Sequence, residues 1–231
     1  MSYSKLQSLE EIRNKKIFFY DLETTGLVKT QRGLKPEEEY PDYKDLQQYD
    51  NARIVSIGWL YIKNFDYDHD YDNYYENISE CIIKPDDFVI PNEAIKIHGI
   101  TNEEVNKGKE IKKVLKYIGD MINDCDYIIG YNVYYDINVL LSELYRNNYD
   151  KIINKIVNLK KNEKIICIAQ IASKEMKPDG WKPRINYQIP KQIDVYKKCF
   201  GEELVNAHNA KADVFAMIKI MYHIYKKFLE N

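Results

Sequence analysis

Long apolar runs are missing from this chain of 231 residues. No stretch approaches the roughly 18 consecutive apolar residues that a membrane span requires. The opening MSYSKLQSLEEIRNKK mixes charged and polar groups and has no apolar secretory segment, so an intracellular protein, cytoplasmic or nuclear and not secreted, is expected. Cysteine is scarce: Cys81, Cys125, Cys167 and Cys199 stand dozens of residues apart. That spacing fits no zinc motif and no disulfide framework, and it leaves reduced, mostly buried thiols. An excess of one charge is missing as well. The 34 basic and 36 acidic residues give a formal net charge of −2, which excludes the broadly basic surface of a protein that coats nucleic acid. A local basic patch is the most that remains. What is present suits a soluble globular domain: 45% hydrophobic and 30% charged residues, in a chain long enough for a substantial core. The abundance of Tyr, Lys, Asn and Ile reads as A/T-rich coding and carries no chemistry.

The apolar pattern predicts strands over 15–23 (KKIFFYDLE), 52–62 (ARIVSIGWLYI), 74–84 (YYENISECIIK), 126–132 (DYIIGYN) and 164–171 (KIICIAQI). Helical spacing appears over 102–124, 136–146, 149–160, 191–200 and 209–228. Three strands, then helices alternating with strands, predict an α/β sheet covered on both sides. Residues 1–14 read as an N-terminal extension and 15–231 as one domain. The polar stretch from Lys29 to Asn51 is too long for a hairpin and reads as an insertion between the first two strands. No internal repeat and no long linker is visible.

Asp21 and Glu23 alternate on one strand face, after Ile17 and Phe19. Two ionised carboxylates side by side at a half-buried strand end repel each other unless a cation joins them. A solvated strand end is the plainer reading of that pair alone. Asp136 opens a helix, where an acid serves equally as a cap. Yet Asp136, Leu140 and Leu144 share one helical row, and Asp213, Met217, Ile220 and Ile224 share another. An acid in the first turn of a core-facing row is poorly explained by solvation. His208 stands five residues before Asp213, and an imidazole titrating near neutrality beside such an acid suits a general base.

Together these residues resemble the DEDD exonuclease superfamily, in its histidine-containing (DEDDh) subclass. The motifs stand here as DLETTGL (21–27), IIGYNVYYDINVLL (128–141) and AHNAKADV (207–214), and IPNEAIKIHGIT (90–101) resembles a tract of bacterial proofreading-subunit relatives. The resemblance covers roughly 15–228. It implies a ribonuclease-H-like fold, a five-stranded mixed sheet flanked by helices. It implies that Asp21, Glu23, Asp136 and Asp213 ligate two Mg²⁺ or Mn²⁺ ions, and that His208 deprotonates the attacking water. Thr24, Gly26 and Leu27 match the segment that contacts the terminal nucleotide, with Leu27 as an apolar wedge. His98 and Asn132 match positions near the substrate strand. The implied activity is 3′→5′ hydrolysis of phosphodiester bonds at the end of single-stranded nucleic acid, as in DNA proofreading or repair. Two departures stand out: Tyr131 occupies a place where many relatives carry His, and the 29–51 insertion resembles exonuclease-like proteins of large DNA viruses.

DNA is the favoured substrate. RNA trimming by the same chemistry is the alternative, and a catalytically silent nucleic-acid-binding module of the same fold is a third reading. The resemblance to proofreading subunits raises a DNA polymerase or replication protein as partner, although no polymerase domain, polymerase-binding tail or clamp motif is visible. Nothing in the sequence fixes an oligomeric state. Asp66, Asp68, Asp70 and Asp72 imitate the start of a calcium loop, but Tyr71 and Asn77 stand where Gly and Glu are required, so a solvated hairpin tip is expected. Lys151, Lys155, Lys160, Lys161 and Lys164 read as a solvated helix face, with a phosphate track as the alternative. His69 and His223 receive no role.

Overall fold

The computed structural model describes residues 3–29, 40–175 and 189–230. Strands β1 (Ile17–Thr24), β2 (Ile54–Ile62), β3 (Ser79–Lys84), β4 (Lys109–Glu110), β5 (Tyr127–Gly130) and β6 (Ile165–Cys167) form one sheet in the order β4-β3-β2-β1-β5-β6. β1 runs antiparallel to β2 and parallel to β5, β2 antiparallel to β3, and β5 parallel to β6. The expected mixed sheet is therefore present, with the two-residue β4 added at its edge. Among the described residues the helices are α1 (Tyr3–Glu11), α2 (Asn92–His98), α3 (Asn102–Val105), α4 (Ile111–Asp124), α5 (Val133–Arg146), α6 (Asp150–Lys161), α7 (Ile168–Glu175), α8 (Gln192–Phe200) and α9 (Ala210–Leu229). None is long and apolar enough to cross a membrane.

Three local expectations change. The 164–171 run holds only a three-residue strand and then becomes α7. It is buried from Ile165 onward, and a short run that is buried on every side has no periodicity to separate strand from helix. Over 74–84 the strand starts only at Ser79, because Asp70 accepts a hydrogen bond from the Asp72 amide and winds Tyr71–Asn77 into a 3₁₀ turn. The 102–124 segment is two helices; Thr101 and Glu104 close a reciprocal capping box at the first. The opening segment also has a place in the fold: Leu9 and Ile12 are buried in the main core, and α1 lies against α9.

α9 is the central helix. It packs on β1, β2 and β3, and α1, α7 and α8 lean on it, while α6 leans on α4 and α5. Its rows from Asp213 through Met217, Ile220 and Ile224, and from Val214 through Ile218, Met221 and Tyr225, are all buried. Of the thiols, Cys125 and Cys167 are buried and Cys81 and Cys199 are half-buried; none of the four forms a disulfide. Asp66 and Asp68 of the calcium-like run both pair with Arg13 Nη1, so a side-chain cation meets them.

One glycine fixes where α9 meets the sheet. In the register Asp21 faces Gly58, and Gly58 faces Glu80. A β-carbon on Gly58 would lie 2.4 Å from the carbonyl oxygen of Ala210, the first residue of α9. Only a residue without a side chain lets the helix start so close to the strand. Gly58→Ala is expected to lower the urea-measured unfolding free energy by about 1–3 kcal/mol through overpacking. A change within about 0.5 kcal/mol would mean that the contact relaxes freely.

Candidate active site

β1 ends at the edge of the sheet where α5 and α9 begin. Phe19 rings against Phe65, which rings against Tyr222 of α9, so the Ile17, Phe19, Asp21, Glu23 face of β1 looks toward α9. α9 then delivers Asp213 in its first turn. On the other side, β5 stops at Gly130, and Asn132, in left-handed backbone at φ 56°, turns the chain into α5. A side chain at Gly130 would strike Val133 at 2.7 Å. This tight turn places Asp136, buried, in the first turn of α5.

The four acids share one electrostatic environment. Burial raises the Asp21 carboxyl well above the usual range, and the charges of Asp136, Asp213 and Glu23 raise it further. Burial pushes Glu23 up to about 9, with Asp213, Asp136 and Glu80 adding to it. Asp136 is raised by burial and by Asp213, against a lowering hydrogen bond from its own backbone. Asp213 rises to about 7 by burial, opposed by the His208 amide. Carboxylates repelled in this way call for a cation. Donor atoms of Glu23, His208 and Asp213 lie within 4.8 Å of one another, the only such group among the described residues. The carboxylate oxygens suit a hard ion such as Mg²⁺ or Mn²⁺, and the His208 imidazole stands beside them.

His208 is exposed and held by its backbone. Its φ is 66°, and its amide N–H donates to Asp213 Oδ2 at 3.0 Å. Asn209 caps α9 by accepting from the Ala212 amide, and its Nδ2 donates to Glu80 Oε1 at 2.8 Å. Glu80 is thus a fifth carboxylate at the site. It was invisible in the sequence, because only the strand register brings it opposite Gly58. His98, at the end of α2, accepts the Ile100 amide on Nδ1 at 3.0 Å. The ring proton therefore sits on Nε2, which is buried without a partner. Burial and the nearby His208 lower the His98 pKa, which keeps this imidazole a neutral donor.

The remaining candidates line the strand end. Thr24 closes β1, Gly26 follows in the turn, and Leu27 is 80% exposed. Tyr131 turns its hydroxyl to the Pro190 carbonyl at 2.8 Å. The described part of the insertion, 40–51, docks beside the site. Arg146 of α5 donates to the Leu46 carbonyl and to Asp50, and Asn51 accepts from Thr25 Oγ1. Residues 30–39 lie outside the described residues. Arg53, at the foot of β2, forms a buried ion pair with Glu143 of α5 at 2.5 Å and stacks on Phe88. This pair ties the insertion's exit to the helix that carries Asp136. The five lysines between 151 and 164 lie on or just after α6, solvated or half-buried.

A family model described as Exonuclease, RNase T, matches residues 18–221. No curated protein matches the chain in sequence. Among solved structures, E. coli Exonuclease I in complex with a dT13 oligonucleotide has a TM-score of 0.60 at 21% identity, over 90% of this chain and 40% of that one. The zinc-bound form of an E. coli Exonuclease I–ssDNA complex gives 0.60 at 20%, over 94% and 42%. E. coli Exonuclease I with a dA16 oligonucleotide gives 0.58 at 19%, over 93% and 43%. The chain thus spans about two fifths of the length of these structures. At such identity the likeness shows the fold, which is the ribonuclease-H-like fold expected from the motifs. With the family model spanning 18–221, this chain belongs to the RNase T exonuclease family.

Proposed function

We propose that this protein is a 3′→5′ exonuclease that hydrolyses the terminal phosphodiester of a single DNA strand. The carrying observation is that Asp21, Glu23, Asp136 and Asp213 gather with His208 at one end of the sheet. The catalytic unit is 15–231, braced by the opening segment, with the 29–51 insertion shaping substrate choice. The four acids would hold two Mg²⁺ or Mn²⁺ ions, which supply Lewis-acid activation of water and neutralise charge on the phosphate and the leaving oxygen.

The chain's own residues do the rest. His208 takes the proton from the attacking water. Water oxygen bonds to phosphorus, the bond to the 3′ oxygen breaks, and a 5′-mononucleotide leaves. His98 Nε2–H finds its missing acceptor in a phosphate oxygen. Asn132 contacts the strand from the start of α5, and Leu27 covers the terminal base. DNA is favoured because E. coli Exonuclease I, which shares the fold, is seen with DNA oligonucleotides. RNA trimming remains the alternative, since recognition of the 2′ hydroxyl decides between them. A DNA polymerase or replication protein is the partner such an activity would serve.

Matched 5′-labelled DNA and RNA oligonucleotides with Mg²⁺ test this. A ladder shrinking from the 3′ end is expected, faster for DNA and missing in Asp21→Ala. His208→Ala should lower kcat by about 10²–10⁴-fold with metal binding kept. No shortening with either ion would favour the silent nucleic-acid-binding module.

The raised carboxyl groups make a second prediction. The folded, metal-free protein holds protons that the unfolded chain releases. Their stabilising contribution is complete below about pH 4. It is lost as pH rises through about 7 for Asp213 and about 9 for Glu23. In EDTA the thermal midpoint should therefore fall from pH 5 to 9 more steeply in the wild type than in Asp21→Asn/Asp136→Asn. Mg²⁺ should raise the wild-type midpoint more at pH 8 than at pH 5. Parallel curves without a metal effect would contradict this.

A further inference from the structure

The turn after β1 is held far more firmly than its exposure requires. Thr25 is buried; its Oγ1 donates to the Asn51 carbonyl at 3.0 Å and accepts the Arg53 amide at 2.9 Å, and its own amide donates to the Arg53 carbonyl at 2.9 Å. Gly26 lies so close to the Asn51 carbonyl that a β-carbon would approach it to 2.8 Å. That fixes the far side of the turn to the entry of β2.

The near side is held by a residue with no assigned role. Tyr135 Oη lies 2.6 Å from the Gly26 carbonyl oxygen and 2.6 Å from Thr24 Oγ1, and Thr24 Oγ1 lies 2.9 Å from the same carbonyl. Two hydroxyl hydrogens serve three oxygens. Every assignment that keeps both inside this triangle directs at least one to Gly26. A phenol is protonated at neutral pH and can donate. Tyr40 of the insertion braces its ring, at 6.2 Å between centroids. Tyr135 directly precedes Asp136, so the helical turn that supplies a carboxylate also grips the β1 turn. Directly after these anchors Leu27 stands 80% exposed, while the next residue, Val28, is buried. An exposed apolar side chain on a backbone fixed just before it, and buried just after it, offers a fixed surface for the face of a base.

We propose that the Tyr135 hydroxyl is a positioning group that holds the Thr24–Leu27 turn in the form that receives the terminal nucleotide. It thereby sets the grip on the 3′ end and leaves the chemical step alone. This rests on the exonuclease reading for the identity of the ligand.

Tyr135→Phe removes the hydroxyl and keeps the ring. The test measures anisotropy of a 5′-fluorescein-labelled oligothymidylate in EDTA, kcat and KM with Mg²⁺, and the thermal midpoint with and without Mg²⁺. Loss of one hydrogen bond corresponds to a rise of about tenfold in Kd and KM. The kcat and the metal-induced shift of the midpoint should stay at wild-type values. Thr24→Val should give a similar rise, and the double variant no more than either single, because both act through one triangle. Unchanged Kd and KM would overturn the proposal. So would a fall in kcat at constant KM, which would place the effect at Asp136, or a lost metal shift, which would make the residue merely structural. If the wild type binds the strand without cleaving it, the exonuclease reading fails and the binding arm still decides the clamp. A wild type that does neither overturns both.

Discussion

The carbonyl of Ala210 over Gly58 is the contact on which the arrangement depends. It lets the first turn of α9 descend onto β2 between two acidic neighbours, Asp21 on β1 and Glu80 on β3, each in register with that glycine. Asp213 and the His208 amide that it accepts are carried in by the same helix start. Asn209, capping that start, is tethered to Glu80. Sheet register and helix capping together therefore decide where the site's donors stand, before any ligand is present.

The second constraint is electrostatic. A folded core tolerates buried carboxyls only if they keep their protons or meet a cation. Here burial raises all four, Asp213 and Asp136 raise Asp21 and Glu23 further, and Glu80 adds to the load on Glu23. The metal-free fold is thus held below its attainable stability at neutral pH, and a bound cation would release that restraint. The buried Arg53–Glu143 pair belongs to the opposite case, since charges of opposite sign satisfy each other there and anchor α5 beside β2. One arrangement recruits a ligand; the other excludes one.

Periodicity marked the acids as unusual, and the family resemblance assigned them to one site. Asp21 and Glu23 alternate with Leu22, and Asp136 and Asp213 head rows that the structure buries. An α/β sheet was legible from the same pattern, and its mixed strand directions were implied by the resemblance. What stayed hidden depends on pairings far apart in sequence: Glu80 with Asn209 across 129 residues, Arg53 with Glu143 across 90, and Tyr135 with Gly26 across 109. Gly58 did carry a signal, since a lone glycine in an apolar strand marks a close backbone approach. The short α2 carrying His98 was missed because seven residues hold too few turns for a periodic pattern.

Calorimetric titration of the metal-free protein with Mn²⁺, beside the Asp136→Asn variant, tests the central claim most directly. The account predicts binding of two ions with release of protons from the raised carboxyls, and loss of at least one ion in the variant. Absence of binding, or identical titrations for the two proteins, would contradict a cation site at the end of β1.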